Sequence, residues 1–269
     1  MERRVRPPAV AGAFYPADPA RLRAEVMNLL AAAPPVGAPS PVALIVPHAG
    51  YAYSGPVAAT AFSLLARTRP GVRRVVAFGP AHFARVEGLA LPGAAALATP
   101  LGEVPAAVEA ETRACRHPAV GVSPAAHARE HSLEVQLPFL QVVLAEPAVA
   151  ALLCGQADPE QVALVIEEFL GEESTLVLVS SDLSHYLPYE EAYRRDRDTA
   201  DAIVRLDPEA LTYDSACGLV GVQALLLAAR RRGLAAICLD LRNSGDTAGD
   251  RSRVVGYASF AFTDDARRH

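Results

Sequence analysis

The sequence predicts a three-layer α/β/α sandwich with a mostly parallel or mixed central sheet. Two observations carry this. Apolar runs of strand length alternate with longer helical stretches along the 269 residues. The runs are continuously apolar instead of alternating with polar residues, as in strands covered on both faces. A hydrophobic content of 51% is enough to fill one large core. There is no internal repeat and no low-complexity tract. The Pro- and Ala-rich stretch 31–41 is short and joins a first helix to the first core strand. Residues 1–269 therefore read as one domain.

The elements follow in order. Residues 42–46 (VALIV) read as a buried strand, and 55–67 (GPVAATAFSLLAR) as the helix after it. Residues 73–78 (RRVVAF) are a second strand, and 87–91 a short one. The pattern over 131–145 (HSLEVQLPFLQVVLA) is helical, with Pro138 expected to kink or restart it. Residues 149–153 (VAALL) form a strand ending at Cys154. Asp158 then caps a helix with Pro159 in its first turn, and Gly171 can end it. Residues 175–179 (TLVLV) are a strand followed by the polar loop SSDLSHY. A charged helix covers about 188–205, and Asp207-Pro208 opens a short one. Residues 219–231 make an apolar helix stopped by Gly233, and strands at 235–241 and 253–262 close the chain.

Bulk properties exclude several classes. The net charge is −5 and the arginines are scattered, so nucleic acid is not the expected partner. No apolar run approaches the roughly 20 residues that span a bilayer, and the N-terminus lacks the apolar stretch of a signal peptide. Four cysteines without a CxxC do not make a disulfide framework. A cytoplasmic location with reduced thiols is the expectation. There is no phosphate-binding glycine loop, no GxSxG elbow and no HExxH.

Chemistry concentrates where apolar runs end. In open α/β sheets, ligands bind beyond the carboxyl ends of strands. Three runs end alike: LIVPHAG with His48, VAFGPAH with His82, and LVLVSSDLSH with Asp182 and His185. A single histidine after a strand is usually a loop residue, but three at matching positions point to a shared site. Imidazoles from separate loops build open transition-metal sites. Asp182 has four readings: a carboxylate ligand, a group orienting a ligand histidine, half of an acid/base pair with His185, or a plain turn or helix cap. Glu130 and His131 open the stretch HSLEVQLPFL, where an acid suits a helix dipole and either residue can face the cleft. Cys217, in SACGLVG, reads locally as a small buried hydrophobe, although a thiolate at a helix N-terminus is a soft metal ligand. Tyr51 and Tyr53 are candidates for the pocket wall, against the commoner role of packing.

Six blocks now add a resemblance: RPPAVAGAFYPADP, VPHAGYAYSG, FGPAHF, EHSLEVQLPFL, SSDLSHY and ACGLVGVQALLLA. In this order they resemble the MEMO family, whose prokaryotic members are called AmmeMemoRadiSam system protein B. The resemblance implies a single MEMO-like domain with a fold like that of the class III extradiol (LigB-like) dioxygenases. It implies His48, His82 and Cys217 as metal ligands, with Asp182 and His185 lining the same cleft as catalytic groups. Two positions depart from the family pattern: Ala81 stands where a serine is usual, and Leu219-Val220 follows the CG pair.

A thiolate in place of the dioxygenase carboxylate suits iron(II) or copper, with zinc as a further candidate, and it is itself oxidisable. Ring cleavage therefore does not follow from the fold. The leading expectation is an iron- or copper-dependent oxidoreductase acting on a small molecule. The family's prokaryotic name adds a radical-SAM protein and an AMMECR1-type protein as pathway partners. The alternatives are a non-catalytic scaffold binding a peptide in the same cleft, and a metal-assisted hydrolase or lyase.

Overall fold

Side-chain alternation along the buried strands decides the layering. The structure is a computed structural model and describes residues 4–247 and 249–264. The N-terminal part runs β1 (Val5–Arg6), α1 (Pro19–Ala32), β2 (Pro41–Val46), α2 (Tyr51–Thr68) and β3 (Arg74–Pro80). It continues through β4 (Leu89–Leu91), β5 (Ala96–Thr99), β6 (Gly102–Pro105), α3 (Val108–Ala114), β7 (Val120–Val122) and α4 (Pro124–His127). Next come α5 (Leu137–Val143), β8 (Ala148–Cys154), α6 (Pro159–Glu167), β9 (Thr175–Ser180) and β10 (His185–Leu187). The chain closes with α7 (Tyr189–Val204), α8 (Leu219–Arg232), β11 (Leu234–Asn243), α9 (Ser244–Thr247) and β12 (Val254–Asp264).

The main sheet has nine strands, in the order β10-β12-β2-β9-β3-β8-β4-β7, with β11 pairing β12. Its centre, β2-β9-β3-β8, is parallel. Strand β12 is antiparallel to β2, and β4 to β8, so the sheet is mixed. Each central strand sends alternate residues to opposite faces. Val76 and Phe78 of β3 join Val177 and Val179 of β9 in a core with α3, α6, α7 and α8. Val75 and Ala77 join Leu176 and Leu178 in a second core with α1, α2 and α5. Burying one of these valine, leucine or phenylalanine side chains contributes about 1.5–3 kcal/mol. With apolar cores on both faces, the strands are the continuous apolar runs read in the sequence.

Some boundaries moved. Helix α2 starts at Tyr51, four residues before the expected Gly55. Pro56 thus lies inside the helix, in its second turn. The expected helix from His131 does not begin there. Residues 134–136 form one tight 3-10 turn and α5 starts at Leu137, with Pro138 in its first turn. Pro138 is therefore a start and not a kink, since the first turn has no use for its missing N–H. Asp158 and Gly233 behave as expected: Asp158 accepts from the Glu160 N–H at 3.0 Å, and Gly233 ends α8 at φ 65°. A small sheet, β1-β5-β6, was not anticipated. Among the described residues, no helix is long and apolar enough to cross a membrane.

Candidate metal centre

The parallel strands β2, β9 and β3 end side by side, with Val46 paired to Ser180 and Phe78 to Val179. Two residues past the last residue of each strand stand His48, Asp182 and His82 respectively. Equal overhang from adjacent parallel strands brings the three to one end of the sheet. The segment before the 3-10 turn supplies Glu130 and His131, and the residue before Gly218 at the head of α8 is Cys217.

Hydrogen bonds fix the histidine tautomers. Ser180 Oγ donates its one hydrogen to the Ser132 carbonyl at 2.6 Å and accepts from Gln136 Nε2 at 2.9 Å. His48 Nδ1, also 2.9 Å from that oxygen, must therefore be the donor. Its Nε2 keeps the lone pair a metal needs. The Gln136 amide is itself oriented, because it also donates to the Pro47 carbonyl at 2.9 Å. His82 Nδ1 lies 2.9 Å from Glu130 Oε1, so a carboxylate holds its proton and again leaves Nε2 as the ligand atom.

Glu130 collects donors. Its oxygens accept from the backbone N–H of His82 at 2.6 Å and from those of His131 and Ser132 at 2.9 Å each. Burial pushes its carboxyl up, but these hydrogen bonds outweigh burial and leave it at about 2. It is thus a carboxylate at neutral pH. The expected helix-dipole role does not apply, because no helix begins at Glu130. Burial lowers His48 to about 3 and His131 to about 4, aided by neighbouring imidazoles, so both are neutral. Burial, with the Asp182 charge, pushes Cys217 up to about 12. A thiolate there needs a cation beside it.

The donor atoms converge. One ring nitrogen from each of His48, His82 and His131 lies within 4.8 Å of the others. Cys217 Sγ is 3.2 Å from His48 Nε2 and accepts from the Asp182 N–H at 3.3 Å. Asp182 Oδ1 accepts the His48 backbone N–H at 2.7 Å, while Oδ2 is 4.0 Å from His48 Nε2. Burial raises the Asp182 carboxyl. His131 Nδ1 is buried without a hydrogen-bond partner. Neutral imidazoles with fixed lone pairs, a thiol and an orphaned buried nitrogen suit a transition metal. Beside Cys217 opens a cavity of about 250 Å³, lined by apolar residues such as Ala81, Val86 and Val220, with Gln156 among its polar ones.

The structure sorts the sequence candidates. His48, His82, Cys217, Asp182, Glu130 and His131 meet at one place. His185 lies farther out, exposed on β10 and opposite Val255. Tyr51 is a core residue, not a cleft wall. Its hydroxyl donates to the Val135 carbonyl at 2.7 Å, and its ring packs on Phe139 at 5.0 Å. Tyr53 is exposed in the first turn of α2. Ser180, Ser132 and Gln136 escaped sequence reasoning. The available signal was Gln136, a polar residue inside the apolar run of HSLEVQLPFL. Phe14, 4.8 Å from the His131 ring, gave no signal.

Comparison with known proteins identifies the family. Residues 6–261 match the family described as "Memo-like protein". The chain belongs to this family. A MEMO1 family protein of Aquifex aeolicus is 36% identical over 273 residues, covering 96% of this chain and 99% of its own. One from Archaeoglobus fulgidus is 37% identical over 276 residues, with the same coverage. Among solved structures, an uncharacterized protein of Escherichia coli K12 superposes with a TM-score of 0.52 at 13% identity. It covers 81% of this chain and 98% of its own, and shows a shared α/β fold alone.

Proposed function

We propose that this Memo-like protein binds one transition-metal ion, iron or copper, and acts as an oxidoreductase on a small molecule. The observation that carries the reading is the pair of imidazoles with Nε2 lone pairs fixed by Ser180 and Glu130, next to a thiol 3.2 Å from His48. His48, His82 and Cys217 would hold the ion. When bound, it would supply one-electron chemistry, and its charge would stabilise the Cys217 thiolate.

The chain's own groups do the rest. Ser180 and Glu130 aim the two rings. Asp182 Oδ2 faces His48 Nε2 at 4.0 Å and can hold or release a proton beside the ligand shell. His185 is the outer proton carrier toward solvent. The cavity of about 250 Å³ favours a small molecule over a peptide. Residues 1–269 act as one domain. The free cysteines among the described residues fit a reducing cytoplasm.

The test is metal analysis of protein purified without air, beside the His48→Ala variant. One equivalent of iron or copper in the wild type, lost in the variant, supports the reading. Protein that takes up no transition metal defeats it, and zinc alone would point to metal-assisted hydrolysis instead.

A further inference from the structure

We propose that His48, His82 and His131 form a three-imidazole site for a borderline divalent cation, Zn(II) or Co(II), which binds without Cys217. This rests on the metal-site reading above and adds a second way of holding an ion there.

The sulfur and the third imidazole are distinct arms. Cys217 Sγ sits against His48 and the Asp182 backbone N–H, at 3.2 and 3.3 Å. It is not among the atoms that lie within 4.8 Å of one another; that group holds the three histidines alone. His131 stacks on His82, with centroids 4.8 Å apart and planes at 14°, and meets His48 edge-on at 5.6 Å. Ligand atoms around a tetrahedral ion with 2.0–2.1 Å bonds stand about 3.4 Å apart. At its widest, 4.8 Å, the gap therefore has to close by about 1.4 Å, with one ring tilting.

The structure shows which ring is free to tilt. His48 is tied through Nδ1 to Ser180, and His82 through Nδ1 to Glu130. His131 Nδ1 has no hydrogen-bond partner and lies 3.5 Å from Glu130 Oε1, so that nitrogen does not tie the ring by a hydrogen bond as Nδ1 does in the other two. Phe14 at 4.8 Å and Phe83 at 5.8 Å flank it, giving apolar walls along which it can slide. A turn of His131 toward His48 brings a third nitrogen to the ion. Three neutral imidazoles are a borderline donor set suited to Zn(II) or Co(II), whereas a thiolate is needed to favour Cu(I).

Cobalt titration reads both arms. Co(II) bound by thiolate shows near-ultraviolet charge-transfer absorption, and Co(II) in a tetrahedral nitrogen site keeps visible d–d bands. In Cys217→Ser the charge-transfer band should vanish, the visible bands should persist, and affinity should drop by no more than about 100-fold. Cys217→Ser with His131→Phe keeps a ring between Phe14 and Phe83 but removes the nitrogens; it should lose at least a further 100-fold or so. His131→Phe alone should cost less than about tenfold, because the thiolate remains. Circular dichroism of each metal-free variant checks that it is folded. If Cys217→Ser binds Co(II) no better than His48→Ala does, or if removing His131 from it changes nothing, the three-imidazole site is wrong. A wild type that binds no metal at all would defeat the proposed function as well, so the two failures can be told apart.

Discussion

Glu130 holds four donors on two oxygens, and its replacement separates charge from shape. In Glu130→Gln the amide keeps one acceptor oxygen but turns an NH2 group toward donors. The His82 ring then either loses its Nδ1 partner or shifts its proton to Nε2, the atom needed for metal. Metal affinity should fall about 10–100-fold, measured by competition with a chelator of known strength. His127 makes a prediction about pH. Burial, together with the Arg6 charge, lowers it to about 4 from the ordinary 6.5, while its Nε2 donates to the Ala90 carbonyl at 2.8 Å. Between those values the unfolded chain binds the proton and the folded chain does not. The stability His127 provides is therefore complete above pH 6.5 and is lost as pH falls toward 4, by about 3 kcal/mol. Urea unfolding of wild type and His127→Gln should show the gap between them narrowing from pH 7 to pH 5. Equal gaps at both pH values would mean that His127 is not buried neutral.

At the scale of elements, the site depends on how closely α8 and the N-terminal segment approach the sheet. Gly218 caps α8 at an ordinary φ of −90°, so space and not conformation requires it. A Cβ there would lie 2.7 Å from the Ser180 carbonyl oxygen and 2.8 Å from Ser181 Cβ. Gly218→Ala must push α8 off the end of β9, carrying Cys217 with it. About 1–3 kcal/mol of stability should go, with weaker thiolate-to-cobalt absorption at a given cobalt concentration. On the other face, Glu134 binds Arg6, the Tyr15 hydroxyl at 2.5 Å, and the N–H groups of Ala9 and Val10 at 2.7 and 3.0 Å. Arg6 also donates to the Glu130 carbonyl, so this segment braces the residues that carry Glu130 and His131. Glu134→Ala leaves Arg6 buried and unpaired and should cost about 3–5 kcal/mol in urea unfolding. Neither brace was legible in the sequence. The central strands were, because burial on both faces writes a continuous apolar run. His48, His82 and Asp182 were legible for the same reason, as each stands just past such a run. The placement of Glu130 and His131 was misread because the helical spacing of α5 extends backward through HSLEVQLPFL, while the backbone before residue 134 is irregular. Locally Cys217 read first as a small buried hydrophobe, and its choice as a ligand came from the family pattern. Strands β1, β5 and β6 are two to four residues long, too short to impose a period.

The whole molecule brings four distant stretches of chain to one point. His48 follows β2, His82 follows β3, His131 lies between α4 and α5, and Cys217 precedes α8. Between the first and last of these lie six of the nine strands of the main sheet, β3, β4, β7, β8, β9 and β10. An ion held by three or four of these residues bridges loops that are far apart in the unfolded chain, and that chain offers no preformed site. Binding to the folded state alone therefore adds to global stability. With free metal at about 100 times its dissociation constant the gain is about 2.7 kcal/mol. In a chain of this size that raises the melting temperature by roughly 5–10 °C. Differential scanning calorimetry with and without Zn(II) should show this shift in the wild type. The His48→Ala variant should show none, because His48 belongs to both proposed donor sets, the one with Cys217 and the one with His131. Cys217→Ser should keep part of the shift if the three imidazoles suffice. An identical shift in His48→Ala would place the stabilising ion elsewhere on the protein and separate it from the centre at the strand ends.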